Sequence, residues 1–215
     1  MRYAVLLSGT GRTLENLLHA IERGELNGEI VAVVSSRPGV RGLDIAQRAG
    51  IPAIAVERKQ FDSDHAFSDA IYEALAPFEP HLLLLAGFLR KLHVAPAWEG
   101  RILNIHPCLL PDMASAAGRG FYGEKVHAAV LDAGAARSGA TVHIVDNGYD
   151  SGPVVMTESV PVLPGDSVQD LAARVFAAEC RLYPRAVTWY ISENAGWLCI
   201  PPGRASNGLE RLPNT

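Results

Sequence analysis

Four consecutive leucines, Leu82 to Leu85, constrain this chain more than any other feature of its sequence. A strand that is apolar at every position turns apolar side chains to both faces, so both faces must be covered. Helices on both sides of a parallel sheet supply that cover. The rest of the first half fits the same plan. Tyr3 to Leu7 reads as a strand that runs into Ser8-Gly9-Thr10-Gly11, and Leu14, Leu17, Leu18 and Ile21 then repeat at helical spacing. Ile30 to Val34 is a second strand, Leu43 to Ala49 a helix stopped by Gly50, and Ile51 to Val56 a short third strand. A helix opens near Phe61-Asp62-Ser63, with Asp62 or Ser63 as its cap, and runs to about Leu75. Ile102 to Ile105 is a further short strand.

This alternation predicts an α/β fold, a single doubly wound and mostly parallel Rossmann-like sheet with helices on both faces. The later chain changes pattern. Thr141 to Val145 and Val154 to Val160 alternate like strands with two different faces, and the turn Asp150-Ser151-Gly152-Pro153 precedes the second. They predict a C-terminal edge hairpin. Ser167, with Asp170 three residues on, opens a long helix as a capping box. The expected domain spans 1–198, and 199–215 reads as a Pro-, Gly- and Asn-rich tail.

Composition narrows the class. At 215 residues the chain is long enough for one well-buried domain and short for two. With 19 Lys and Arg against 23 Asp and Glu, the formal charge of −4 gives no reason to expect a nucleic acid or an anionic membrane as partner. No apolar run approaches the roughly 20 residues needed to span a bilayer, and the N-terminal stretch turns into a Gly-rich loop too soon for a signal peptide. Cys108, Cys180 and Cys199 are odd in number and widely spaced, which offers neither a disulfide framework nor a zinc motif and fits a reducing cytoplasm.

In an open parallel sheet ligands bind beyond the carboxyl ends of the strands. The loops after Leu7, Leu85 and Ile105 are therefore the places for chemistry. Ser8-Gly9-Thr10-Gly11-Arg12-Thr13 joins a strand to a helix and can take a phosphate on free N–H groups, although a tight turn with no ligand has the same look. It is neither a Walker A loop nor GxGxxG. Asn104 and His106 stand two apart on a strand and so face one side, where two hydrogen-bond donors can stabilise an oxyanion. A structural Asn–His pair at a strand end is the plainer reading. Asp150 either meets His106 across the sheet edge or stabilises its own turn. Gly87, Phe88, Leu89 and Arg90 follow the leucine strand and offer an apolar slot with a cation, or merely a connection. The other histidines, at 19, 65, 81, 93, 127 and 143, lack metal-ligand spacing and read as surface or structural.

Taken together, the motifs LLSGTGRTLENL (6–17), LLAGFLRKL (84–92), ILNIHPCLLP (102–111), GFYGEKVHAAVL (120–131), SGATVHIVDNGYDSGPV (138–154) and ECRLYP (179–184) resemble those of the phosphoribosylglycinamide formyltransferase family, folate-dependent enzymes of purine biosynthesis. The resemblance runs to about Trp197. It implies transfer of a formyl group from 10-formyltetrahydrofolate, as co-substrate, to the amine of glycinamide ribonucleotide, with no metal. It implies that Asn104, His106 and Asp150 are catalytic, that Gly11, Arg12, Thr13, Gly87, Pro107 and Glu179 bind the amine substrate, and that Phe88, Leu89, Arg90, Leu92 and the stretch from Val145 to Tyr149 line the folate pocket. Partners are then small molecules, and the chain a cytoplasmic monomer or homodimer. Related methionyl-tRNA formyltransferases and formyltetrahydrofolate deformylases carry an added domain for which this length leaves no room. The alternatives are an N-formyltransferase acting on another amine, such as an amino sugar nucleotide, a formyltetrahydrofolate hydrolase, and a non-catalytic folate or phosphate binder. Three departures stand out: Arg12-Thr13 replaces the usual Ser-Asn, Cys108 replaces Ser, and the link Asp112 to Gly120 is longer than in many relatives.

Overall fold

The computed structural model describes residues 1–111 and 123–202. The link Asp112 to Gly120, the start of the motif at 120–131 and the tail from 203 onward lie outside the described residues.

A seven-stranded sheet carries the fold, in the order β3-β2-β1-β4-β5-β6-β7. Strands β1 (Arg2–Leu7), β2 (Glu29–Ser35), β3 (Ala53–Ala55), β4 (Leu82–Leu85) and β5 (Ile102–His106) run parallel. Strands β6 (Arg137–Ile144) and β7 (Val154–Pro161) are antiparallel and form the expected hairpin at one edge. The third strand is shorter than its apolar run suggests, because Ile51 and Pro52 approach the sheet before pairing begins at Ala53.

The leucine run divides between two cores as the strand period of two demands. Leu82 and Leu84 join Tyr3, Val5 and Leu7 in one cluster, while Leu83 and Leu85 join Ala4 and Leu6 in the other. Helices α1 (Arg12–Glu22), α2 (Arg41–Arg48), α4 (Glu124–Asp132) and α5 (Val168–Leu198) cover the first face, and α3 (Asp64–Leu75) covers the second through Phe67, Ile71 and Leu75. The chain thus crosses from one face to the other between β3 and β4. That crossing puts the topological switch point between β1 and β4, where the loops diverge and leave a crevice.

Local signals set the helix ends. Ser63 accepts the Ala66 N–H at the start of α3, and Ser167 with Asp170 completes a capping box on α5. Helix α4 is unexpected from the sequence: it has nine residues, and one of its three buried positions is a histidine, so its apolar period is weak. Helix α5 contains Pro184 and is kinked at Asn194. Among the described residues no helix is long and apolar enough to cross a membrane.

Gly11 caps α1 with φ +74°, a conformation L side chains rarely adopt, and a Cβ there would lie 2.6 Å from the Gly42 Cα at the start of α2. Two glycines therefore set the approach of α1 to α2. Gly11→Ala is expected to cost about 2–4 kcal/mol, from left-handed strain and backbone overlap together. That corresponds to a fall in Tm of roughly 5–10 °C for a domain of this size. An unchanged melting curve would show that the two helices part without cost.

Candidate active site

The crevice is a cleft of about 650 Å³. Its lining includes Thr13 after β1, Gly87, Phe88, Leu89, Arg90 and Leu92 after β4, Asn104, His106 and Pro107 at the end of β5, Val145, Tyr149 and Asp150 after β6, and Glu179 on α5. Fifteen of the eighteen positions to which the resemblance gives a role meet here, all but Gly11, Arg12 and Asn147. Gly11 and Arg12 do not line it. Gly11 is packed against Gly42, and the Arg12 guanidinium lies 3.7 Å from the centre of the Phe176 ring. That cation–π contact anchors Arg12 to α5, beside Glu179.

At the centre, Asp150 Oδ1 is 3.5 Å from His106 Nδ1 and 3.7 Å from His143 Nε2. Both imidazoles are buried and the carboxylate is mostly so. Asp150 has φ +51°, which is rare for a residue with a side chain. The unusual backbone turns the carboxylate inward from a surface loop. Asp146 holds that loop by accepting the Gly148 N–H at 2.9 Å and the Ser151 hydroxyl at 2.9 Å.

His143, read from the sequence as surface or structural, is structural rather than surface, and it also lines the cleft. It faces Asn104 across the β5–β6 pair, and its Nε2 lies 3.1 Å from Asn104 Nδ2. Its Nδ1 lies 3.0 Å from the Ile144 carbonyl oxygen, a bond that requires the proton on Nδ1. Nε2 then carries a lone pair and accepts from the Asn104 amide. One Asn104 N–H is thereby fixed and the other left to point elsewhere. The period of two along β6 puts His143 on the same side as Thr141, but the partner strand is fixed only by the antiparallel register. His127 on α4 is also buried rather than surface, and burial lowers its pKa against the opposing pull of Glu124.

Arg58, Asp64 and Lys91 line the cleft as well, though the sequence reading gave them no part. Arg58 pairs with Asp64 at 2.6 Å, and the Lys91 ammonium lies 4.9 Å from the centre of the Tyr149 ring. Asn147 accepts the Val94 N–H at 2.8 Å, which ties the loop after β6 to the loop after β4. Tyr183 on α5 donates to the Leu103 carbonyl at 2.9 Å and so anchors that helix against the strand ends.

Two titrating groups bear on the chemistry. Burial, with some help from the charge of Asp150, pushes the Cys108 thiol up to about 12, so it is no thiolate nucleophile at neutral pH. Burial also raises the Glu179 carboxyl to about 7, opposed by Arg12. The folded protein then holds a proton on Glu179 between about 4.5 and 7 that the unfolded chain releases. Stability from this group is therefore lost as pH rises through that window. Glu179→Gln is expected to match the wild type in Tm near pH 5 and to exceed it by a few degrees near pH 8. Parallel melting curves at both pH values would show that Glu179 is ionised at no cost.

This is a doubly wound sheet with an amide, two imidazoles and a carboxylate gathered at its carboxyl edge, and residues 1–187 match the family model described as formyl transferase, to which the chain belongs. It is 34% identical over 206 residues to the phosphoribosylglycinamide formyltransferase of Escherichia coli (strain K12), covering 92% of this chain and 93% of that one. Within the family it groups with the phosphoribosylglycinamide formyltransferases. The glycinamide ribonucleotide transformylase 1 structure from Symbiobacterium toebii superposes with a TM-score of 0.80 at 36% identity, over 90% of this chain and 89% of that one. The trifunctional purine biosynthetic protein adenosine-3 of Gallus gallus is 43% identical over 189 residues, or 87% of this chain, yet the chain spans only 18% of its length.

Proposed function

We propose that the chain moves a formyl group from 10-formyltetrahydrofolate to the amine of glycinamide ribonucleotide, a step of de novo purine biosynthesis. The observation that carries this reading is the meeting of Asn104, His106 and Asp150 in one cleft, with Phe88, Leu89 and Leu92 in the same lining. The amine nitrogen attacks the formyl carbon, and a tetrahedral intermediate forms with a negative oxygen. Asn104 donates to that oxygen through the N–H that His143 leaves unused. His106 donates from Nε2 as an imidazolium, because Nδ1 faces Asp150 and the carboxylate favours the charged ring. When the intermediate collapses, N10 of the folate leaves. The amine loses one proton and N10 gains one, with Asp150 as the relay through water. The products are the formylated amine and tetrahydrofolate.

The amine substrate lies between Thr13, Gly87, Pro107 and Glu179, with its phosphate toward the start of α1, where Gly11 and Arg12 sit. In its protonated form, which burial favours, Glu179 donates a hydrogen bond there without adding negative charge near the phosphate. The folate lies along Phe88, Leu89, Arg90, Leu92, Val145 and Tyr149. Both partners are small molecules, and the reading is that of a cytoplasmic enzyme acting as a monomer or homodimer. The test is an assay with 10-formyltetrahydrofolate and glycinamide ribonucleotide beside a control without acceptor. Formylated ribonucleotide appearing with tetrahydrofolate supports the reading. Formate release without acceptor, or no turnover, overturns it.

A further inference from the structure

Ser8 ends the β1 side of the crevice and is 1% exposed. Its Oγ lies 2.6 Å from Ser36 Oγ, just past β2, and accepts the backbone N–H of Leu89 at 2.9 Å. Strands β2, β1 and β4 are neighbours in the sheet. One hydroxyl therefore ties together the loops that leave three adjacent strands. No role assigned above uses it. Ser8 opens the loop that leads through Gly11 to Thr13, where the amine substrate is placed, while Leu89 belongs to the folate wall. A hydroxyl has one proton and two lone pairs, so Ser8 can accept from Leu89 and still bond to Ser36. Among the described residues, no backbone hydrogen bond that bridges the two loops duplicates the link at Leu89.

We propose that Ser8 is a positioning residue that couples the two substrate subsites. Its Oγ holds the Leu89 backbone in register with the loop from Ser8 to Thr13, so that filling one subsite pre-orders the other. This rests on the substrate assignment proposed above. A hydroxyl that only satisfied a buried N–H would stabilise the fold and leave substrate binding alone.

The test compares Ser8→Ala and Ser36→Ala in the full chain. Ser36→Ala removes one hydroxyl and keeps the bond from Leu89 to Ser8, so it controls for lost stability. Both variants are expected to melt below the wild type. Ser8→Ala alone is expected to raise KM for the folate roughly 5- to 20-fold, the scale of one unmade buried hydrogen bond. Its kcat stays within about threefold, because the reacting groups are untouched. Calorimetry reads the coupling directly, as the change in the Kd of tetrahydrofolate, which has no formyl group to transfer, when glycinamide ribonucleotide is saturating. The wild type is expected to show that change and Ser8→Ala to lose it. The proposal is overturned if Ser8→Ala lowers Tm while KM and the coupling match the wild type, if Ser36→Ala reproduces the KM effect, or if the wild type shows no coupling. A wild type that couples its ligands without transferring formyl refutes the substrate reading and leaves Ser8 supported.

Discussion

His106→Ala is expected to lower kcat by about a thousandfold or more. The imidazole has two duties in the proposed reaction. As an imidazolium it donates to the oxyanion, and removal of one such donor typically costs about 100- to 1000-fold. It also couples that oxyanion to the Asp150 carboxylate 3.5 Å away, which adds part of the general acid–base contribution of about 100-fold or more. Neither duty has a substitute nearby. His143 is engaged with Asn104 and the Ile144 carbonyl, and the Cys108 thiol stays protonated. Ground-state contacts to both substrates remain, so the loss falls on kcat rather than KM. Single-turnover measurement with both substrates saturating reads the effect. A variant with near-normal kcat would remove His106 from the chemistry.

Asp150→Asn is expected to lower kcat by about 100- to 1000-fold, within the usual range for a positioned proton-transfer group. The substitution is a clean probe because of the backbone. Asp150 sits at φ +51°, a region that Asn enters as readily as Asp, so the loop survives the change. What is lost is the charge. Without it the imidazolium of His106 has no counterion, and the amine proton has no carboxylate to receive it. Asp150→Ala would confuse this loss with strain at the same position. The variant is expected to melt close to the wild type while turnover collapses. If turnover persists, the carboxylate only shapes its turn, as the plainer reading of the sequence allows.

The alternation of strands and helices, the cover on both faces of the sheet, the edge hairpin and the long final helix follow from patterns visible in the chain, whereas the order of the strands comes from the structure. Leu82 to Leu85 require cover on both faces, and the helices found there provide it. Ser63 and Ser167 mark helix starts because the capping residue acts within one turn of itself. Asn104 and His106 share a side because a strand alternates. Helix α4 escapes the same reasoning, since a short helix with a buried histidine has too few apolar positions to set a period. His143 escapes it too, because a lone histidine on an alternating strand looks the same whether it faces a core or a ligand.

The amino-acid pattern determined the class of fold, the sheet edge where loops converge, and the pairing of Asn104 with His106 on one side, since each depends on neighbours a few positions away; Pro107, Glu179, Leu92, Val145 and Tyr149 came only from the family resemblance. Tertiary structure alone decided what those side chains touch. His143 meets Asn104 from 39 residues away only because β6 pairs antiparallel with β5 in one register. Arg12 reaches Phe176 rather than the cleft only because α5 packs across α1. Asp150 points inward only through a left-handed backbone that its loop imposes. Contacts of this kind depend on how distant elements close against one another, and no local period along the chain encodes that distance.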